Sequence, residues 1–419
     1  MANTTTNRHD PIAAALAALP AGPLTEAGVA EHLAPLFSRV LARNEVYLAN
    51  HSLGRPLDRM ANDVRGALDL WYEDMDGAWG PWLDVIDRYR ALVAQLIGCV
   101  RTDAVVPKTA AGQGLRAVLN ALPTDAPKVL TSAAEFDSID HILSMYHARG
   151  RAHVTRVPAR GDGLMHVDDV IAAISPELDL IVVSQVIFAT GQVVEGLDKL
   201  IAAAHRAGVL VLIDTYHSAG VMPVRFDELG PDFAIGGNYK YTRGGPGACW
   251  LAIHPRHLTD DHAPPLRTLD TGWFAKREPF AYDRPDTPDL AAGGNAWLES
   301  TPPILTAYQA LAGLEFTLGV GVDRLVAYNR EQQATLEALL YEHGVPVRSI
   351  EPRGAYLLVP HDDAPAASVT LKERGVNTDA RRDATGQGFV RLCPDVLTTT
   401  AELEKAARVI AELTPAHRS

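Results

Sequence analysis

Asp214 closes VLVLID, the most apolar run in the sequence. In an open parallel α/β sheet, ligands sit beyond the carboxyl ends of the strands, so this carboxylate stands where a ligand would. His217 follows three residues on, in DTYH. Taken alone, the aspartate could equally cap a turn and the histidine could be a solvated loop residue. Lys240 shifts that balance. It lies 240 − 214 = 26 residues later, in DFAIGGNYKYTRGGPG, between a second apolar run and a glycine-rich turn. A lysine tucked into such a loop loses hydration, its pKa falls, and a neutral amine becomes available for Schiff-base chemistry.

An amine to hold an aldehyde and a carboxylate to hold a ring nitrogen are together the needs of one cofactor, pyridoxal 5′-phosphate (PLP). Its phosphate requires donors. KTAAGQGLRAVLNAL offers glycines and a helix start near Gly112, an anion site of a frequent kind. Phe136, in AEFDS after the apolar KVLTS, is placed to lie against a bound ring, although core packing would account for a single phenylalanine as well.

Positioning these groups takes an α/β scaffold. LDLIVVSQVIF and VLVLIDTYHS are continuous apolar runs joined by the amphipathic LDKLIAAAHRAG, the pattern of a βαβ crossover in a parallel sheet buried on both faces. VVPKT, KVLTS, AHVTRVP, DFAIGG and GACWLAIHP read as further strands, with helices in GLRAVLNAL and IDHILSMYHARG. Residues 57–97 read as helical. Long helical patterns run from Ile304 through Leu340, followed by VPVRSI, GAYLLVP, a helix near 366–375, FVRLCP and the terminal helix AELEKAARVIAEL. The expected class is α/β. A large domain over 56–303 carries a mainly parallel central sheet, and a smaller C-terminal α/β domain covers 304–419. Residues 1–55 form an N-terminal arm and part of the small domain. The proline- and charge-rich stretch 255–300 reads as a long loop.

The 419 residues are 47% hydrophobic, enough for more than one core. A net charge of −13 without a long basic run argues against nucleic-acid or anionic-membrane partners. No apolar run approaches the ~20 residues of a membrane span. Cys99, Cys249 and Cys393 are too few and too scattered for a disulfide framework or a zinc site, which fits a reducing, cytoplasmic setting. Ile12–Leu19 is apolar, but Asp10-Pro11 before it reads as a helix N-cap and first-turn proline rather than the basic start of a secretory signal.

The motifs, taken in order, resemble fold type I PLP enzymes of the class V aminotransferase superfamily, with the aspartate aminotransferase-like fold, and within it kynureninase most of all. The matches span residues 45–400: YLANHSLGRP, EFDS, ATGQ (Ala189–Gln192), DTYHSAG, NYKYTRGGPG, TGWF (Thr271–Phe274), ESTPPI (Glu299–Ile304) and VRLCP (Val390–Pro394). The resemblance implies that Lys240 carries the cofactor and later moves the substrate Cα proton, while Asp214 pairs with the pyridinium nitrogen. It implies that Phe136 stacks on the ring, and that Tyr239, His217 and the backbone N–H groups of Ala110 and Ala111 fix the phosphate and ring substituents. Trp273 and Thr301 would come from the neighbouring subunit of a homodimer with shared active sites. Arg391 would clamp the α-carboxylate of an amino-acid substrate in two-pronged fashion, with Asn50 and Ser52 on the substrate side. The implied reaction is hydrolytic Cβ–Cγ cleavage.

Three departures concern the pocket. Kynureninases usually carry a hydroxyl-bearing pair where Ala110-Ala111 stand. Their aspartate after the stacking ring falls on Ile139, with Asp140 one position late. The small residue two after the ring-nitrogen aspartate is Tyr216 here. WYEDMDGAWGPW, where the aromatic substrate would lie, matches only loosely. Cβ–X elimination, aminotransfer and racemisation therefore remain alternatives on the same cofactor. A cysteine-desulfurase role is disfavoured, because it needs a mobile nucleophilic cysteine and Cys393 lies inside the apolar VRLCP. Retention of Lys240 argues against a non-catalytic binding protein, and no G-x-G-x-x-G opens a helix after a strand, which discounts a nicotinamide dehydrogenase.

Overall fold

The computed structural model describes residues 10–262, 264–282 and 284–413. Among them twelve strands occur in chain order: β1 (Val46–Tyr47), β2 (Val105–Lys108), β3 (Lys128–Ser132), β4 (His153–Val157), β5 (Leu180–Ser184), β6 (Leu210–Asp214), β7 (Phe233–Gly237), β8 (Cys249–Ile253), β9 (Leu357–Pro360), β10 (Val376–Asn377), β11 (Asp379–Arg382) and β12 (Gly388–Leu392).

Seven of these form the central sheet in the order β2-β8-β7-β6-β5-β3-β4. Only β8 runs antiparallel, to β2 on one side and β7 on the other. Every residue of β5, β7 and β8 is buried, as continuous apolar runs covered by helices on both faces require. The crossover helix Leu197–Arg206 places its apolar stripe (Leu197, Leu200, Ile201, Ala204) on the sheet. It ends at Gly208, whose φ of +76° is the left-handed turn that glycine adopts without Cβ strain.

Helices Arg59–Asp74 and Trp79–Ile97 fill the expected helical region. They pack against the helix Ile304–Val320, whose Ala307, Tyr308, Leu311 and Leu314 join the same core as the sheet. Its Ala312, Phe316 and Val320 face a separate core with Ile12, Leu33 and Phe37 of the arm, so Ile304–Val320, apolar around most of its circumference, is buried from several sides.

The second core joins Val46 and Leu48 of the arm to Leu336 and Leu340 of the helix Val322–Glu342, to β9 and β12, and to the terminal helix Thr400–Leu413. β1 pairs parallel with β10, which ties part of the arm to the C-terminal strands. VPVRSI does not form the expected strand; only an isolated bridge links Arg348 to Leu358. Asp10 caps the first helix, Pro11–Ala18, by accepting a 3.0 Å hydrogen bond from the Ile12 N–H. No helix among the described residues is long and apolar enough to cross a membrane.

Candidate active site

Ser132, Ser184, Asp214 and Gly237 are the last residues of β3, β5, β6 and β7, four neighbours in the sheet. The carboxyl ends of these strands border a cavity of about 530 Å3. Its walls include Thr109, Ala110, Ala111, Phe136, Ser184, Asp214, His217, Tyr239 and Lys240, with Ser52 from the N-terminal arm. Residues far apart in sequence converge because each follows a strand end or a helix start on the same side of the sheet.

Lys240 is 5% exposed, and its Nζ lies 2.6 Å from His217 Nε2. The other ring nitrogen of His217 lies 3.4 Å from the Tyr241 hydroxyl. Burial pushes the Lys240 amine well below the usual lysine range; the Asp214 charge opposes that shift and Arg391 adds to it. Burial, and then the neighbouring lysine, also lower His217, which favours a neutral imidazole.

The lysine loop is held from two directions. Thr242 Oγ1 donates to the carbonyl and side-chain oxygens of Asn238, and the Gly54 N–H donates to the Tyr239 carbonyl at 2.8 Å. A Cβ at Gly54 would collide with the Lys240 carbonyl oxygen, so this glycine permits the arm to close over the loop.

Asp214 Oδ1 accepts from the Tyr216 N–H at 2.8 Å. Burial raises its pKa, opposed by that hydrogen bond and by the Lys240 charge. Behind it, Glu135 is fully enclosed and accepts from Ser132 Oγ at 2.6 Å and Ser184 Oγ at 2.5 Å. Burial pushes Glu135 up to about 7; its two serine donors oppose the rise and the Asp214 charge adds to it. Tyr216 extends to Cys249, donating to its Sγ at 2.8 Å, and passes so close to Gly237 that any side chain there would collide.

The helix Ala111–Leu119 starts at the cavity, with Ala110 as an extended N-cap that contributes no side-chain hydrogen bond. The Gln113 N–H donates to the Ala110 carbonyl at 3.1 Å, and the N–H groups of Ala111 and Gly112 ahead of it lie at the positive end of the helix dipole. Phe136 meets Phe188 edge-on at 5.2 Å, and Lys240 Nζ is 5.6 Å from its ring centroid. A lysine amine, a carboxylate, an aromatic wall and the N-terminal end of a helix around one cavity are the set that an aldehyde heterocycle with a phosphate needs. PLP therefore fits these residues.

Of the other expected residues, Ser52 alone is among these walls. Arg391 is 2% exposed and engages Asp379 side-on, with Nε to Oδ1 at 2.7 Å and Nη2 to Oδ2 at 2.5 Å, while its Nη1 donates to the Phe188 carbonyl. Ser52 lines the cavity and donates to Asp379. Asn50 is turned away: its amide donates to the Cys393 carbonyl at 3.0 Å and ties the arm to the strand that ends at Leu392. Trp273 packs 4.3 Å from Phe274 and 5.4 Å from Phe280, and Thr301 is exposed; neither borders this chain's own cavity. Ile139 is buried in the core, and Asp140 pairs with Arg156 at 2.6 Å. Cys393 is 1% exposed and its thiol is pushed far up by burial.

Two residues at the site were not read from the sequence, Asp379 and Glu135. Asp379 could have been found from the hairpin VNTDARRDATGQGFVRL. A turn centred on TGQG sets Asp379 opposite Arg391.

Comparison with known proteins agrees with this geometry. The family model for aminotransferase class-V matches residues 82–347. A kynureninase of Geobacillus thermodenitrificans is 28% identical over 386 residues, covering 86% of each chain. A kynureninase of Bacillus cereus is 28% identical over 375 residues, covering 85% of each. Among solved structures, a variant of C-DES with glycine covalently linked to its PLP cofactor superposes with a TM-score of 0.78 at 19% identity, covering 90% of this chain and 98% of that one. The cysteine desulfurase CsdA of Escherichia coli gives 0.76 at 17% identity, covering 93% and 98%. With more than half of its length matched by the family model, and with a mostly parallel sheet bearing a lysine and an aspartate at one cavity, the chain belongs to the class-V aminotransferase family.

Proposed function

We propose that this PLP-dependent enzyme performs kynureninase-like hydrolytic Cβ–Cγ cleavage on an amino acid. The observation that carries the reading is the convergence of Lys240, Asp214 and Phe136 on one cavity beside a helix start, in a chain whose curated relatives at 28% identity are kynureninases. When bound, the cofactor supplies a ring that accepts the electrons released as the Cα–H bond breaks.

The chain's own residues do the rest. Lys240, an amine whose pKa is lowered by its burial, holds the aldehyde and later takes the Cα proton. Asp214 holds a proton at the ring nitrogen. Phe136 covers one face of the ring and excludes water from it. The N–H groups of Ala110 and Ala111 receive the phosphate, with Tyr239 beside them, and at positions 110 and 111 that contact falls to the backbone because neither side chain carries a hydroxyl. His217 keeps Lys240 in place at 2.6 Å. Arg391 receives the α-carboxylate of the substrate.

We further propose a homodimer in which Trp273 and Thr301 of one copy complete the cavity of the other. Support comes from their position outside this chain's own cavity and from the exposed aromatics Phe280 and Tyr282 near Trp273.

Tyr216, where kynureninases carry a small residue, favours a second reading, Cβ–X cleavage such as carbon–sulfur scission, because its ring takes up space at the cavity floor. Incubation with kynurenine separates the two. Release of the fluorescent aromatic amine is expected. No release from kynurenine, together with sulfide release from a cysteine-type substrate, would replace the first reading by the second.

A further inference from the structure

We propose that Asp379 is a positioning residue for substrate recognition: it grips the side-on edge of the Arg391 guanidinium and so presents the remaining N–H groups of Arg391 to an amino acid's α-carboxylate. This rests on the reading above that the cavity takes PLP and an amino acid. The placement follows from the small sheet. β11 and β12 pair antiparallel with Asp379 directly opposite Arg391, so the two side chains leave the sheet together.

Both carboxylate oxygens are used twice. Oδ1 accepts from Arg391 Nε and from His51 Nε2, each at 2.7 Å. Oδ2 accepts from Arg391 Nη2 at 2.5 Å and from the Ser52 hydroxyl. Four donors saturate a carboxylate's acceptor sites, so Asp379 has no capacity to rotate without losing a buried bond. Tyr356 backs the cluster, with its ring centroid 5.4 Å from the Arg391 guanidinium carbon and 4.6 Å from the His51 ring.

Arg391 has five N–H groups. Two engage Asp379 and one donates from Nη1 to the Phe188 carbonyl, which leaves one N–H on each terminal nitrogen, with the Tyr356 hydroxyl as a further neighbour of the guanidinium. The cluster adjoins the cavity through Ser52 and Phe188, which are both cavity walls and partners of this pair. His51 is fully buried and faces Asp379, with Arg391 and Lys240 also near it; burial holds it neutral. The charges of Arg391 and Asp379 therefore cancel. Recognition would come from the direction of the remaining N–H groups, which favours a planar two-oxygen group over anions in general.

The test compares holoenzyme of the wild type, Asp379→Asn and Ser52→Ala, titrated with L-alanine and with ethylamine, its carboxylate-free counterpart. The shift in cofactor absorption gives each dissociation constant. Asparagine offers one oxygen and one amide group, so one N–H of Arg391 would face another donor. The expected result is that Asp379→Asn weakens L-alanine binding by about tenfold or more while ethylamine changes by less than about twofold. Ser52→Ala, which keeps the carboxylate and removes one of its donors, shifts the same ratio in the same direction by less. Equal weakening of both ligands would reduce Asp379 to a structural part and overturn the proposal. Tighter L-alanine binding would overturn it too, by showing that Asp379 competes for the arginine. A wild type whose spectrum responds to neither ligand would instead remove the cofactor reading, and the proposal with it.

Discussion

Burial does more than any single neighbour to tune the groups of the cavity. It is the largest influence on Lys240, His217, Asp214 and Glu135, in each case favouring the uncharged form. The same effect makes Cys393 a poor nucleophile, since burial raises its thiol far above the usual range. Cys393→Ala is therefore expected to leave turnover within about threefold of the wild type, under about 1 kcal/mol at the barrier. Loss of about 100-fold or more in a folded variant would contradict this. Lys240, Asp214 and Phe136 were legible in the sequence because each follows a strand-like apolar run, and strand ends are where such sheets bind ligands. Asp379 and Glu135 were not. The role of Asp379 depends on a hairpin register, and that of Glu135 on two serines contributed by separate strands.

At the scale of elements, β6 and β7 must end in register for Asp214 and the lysine loop to meet, and Asp232 helps to fix that register. Its carboxylate accepts from the Val211 N–H at 2.8 Å, from His205 at 2.9 Å and from His257 at 2.7 Å, and pairs with Arg256 at 3.3 Å. Burial alone would raise its pKa, but the histidine and backbone hydrogen bonds outweigh it and hold the group below the usual 3.8. A depressed carboxyl pKa contributes stability that is complete above the unfolded value and fades as pH falls through the folded one. Asp232→Asn is therefore expected to lower stability by about 1–3 kcal/mol at neutral pH, with the difference from wild type shrinking below about pH 4. Urea unfolding at several pH values reads this, and a penalty independent of pH down to 2 would contradict it. The parallel strands were readable because runs buried on both faces carry an unbroken apolar signal. VPVRSI misled because its residues favour strands while only Arg348 finds a bridging partner.

Across the whole molecule, three parts of the chain meet at one buried carboxylate. Asp395, which follows β12 in the small domain, accepts from Arg55 of the arm at 3.3 Å and from Arg243 of the lysine loop. All three residues are buried. Asp395→Ala would strand two buried guanidinium groups and is expected to cost about 3–5 kcal/mol, read by denaturant titration; a loss below about 1 kcal/mol would show that the arm and the small domain are held by their apolar cores alone. The helix Ile304–Val320 was legible in its apolar pattern, but not that it serves two cores, because that pattern identifies a helix without saying what packs on each side. The proposed function centres on one buried lysine amine, its pKa lowered by burial, at the cavity that suits an aldehyde cofactor. The most direct measurement is to incubate the protein with PLP, reduce it with borohydride and map the labelled peptides. One stoichiometric label is expected, on Lys240, and none in Lys240→Ala. Label spread over surface lysines, or found at another single lysine, would contradict it.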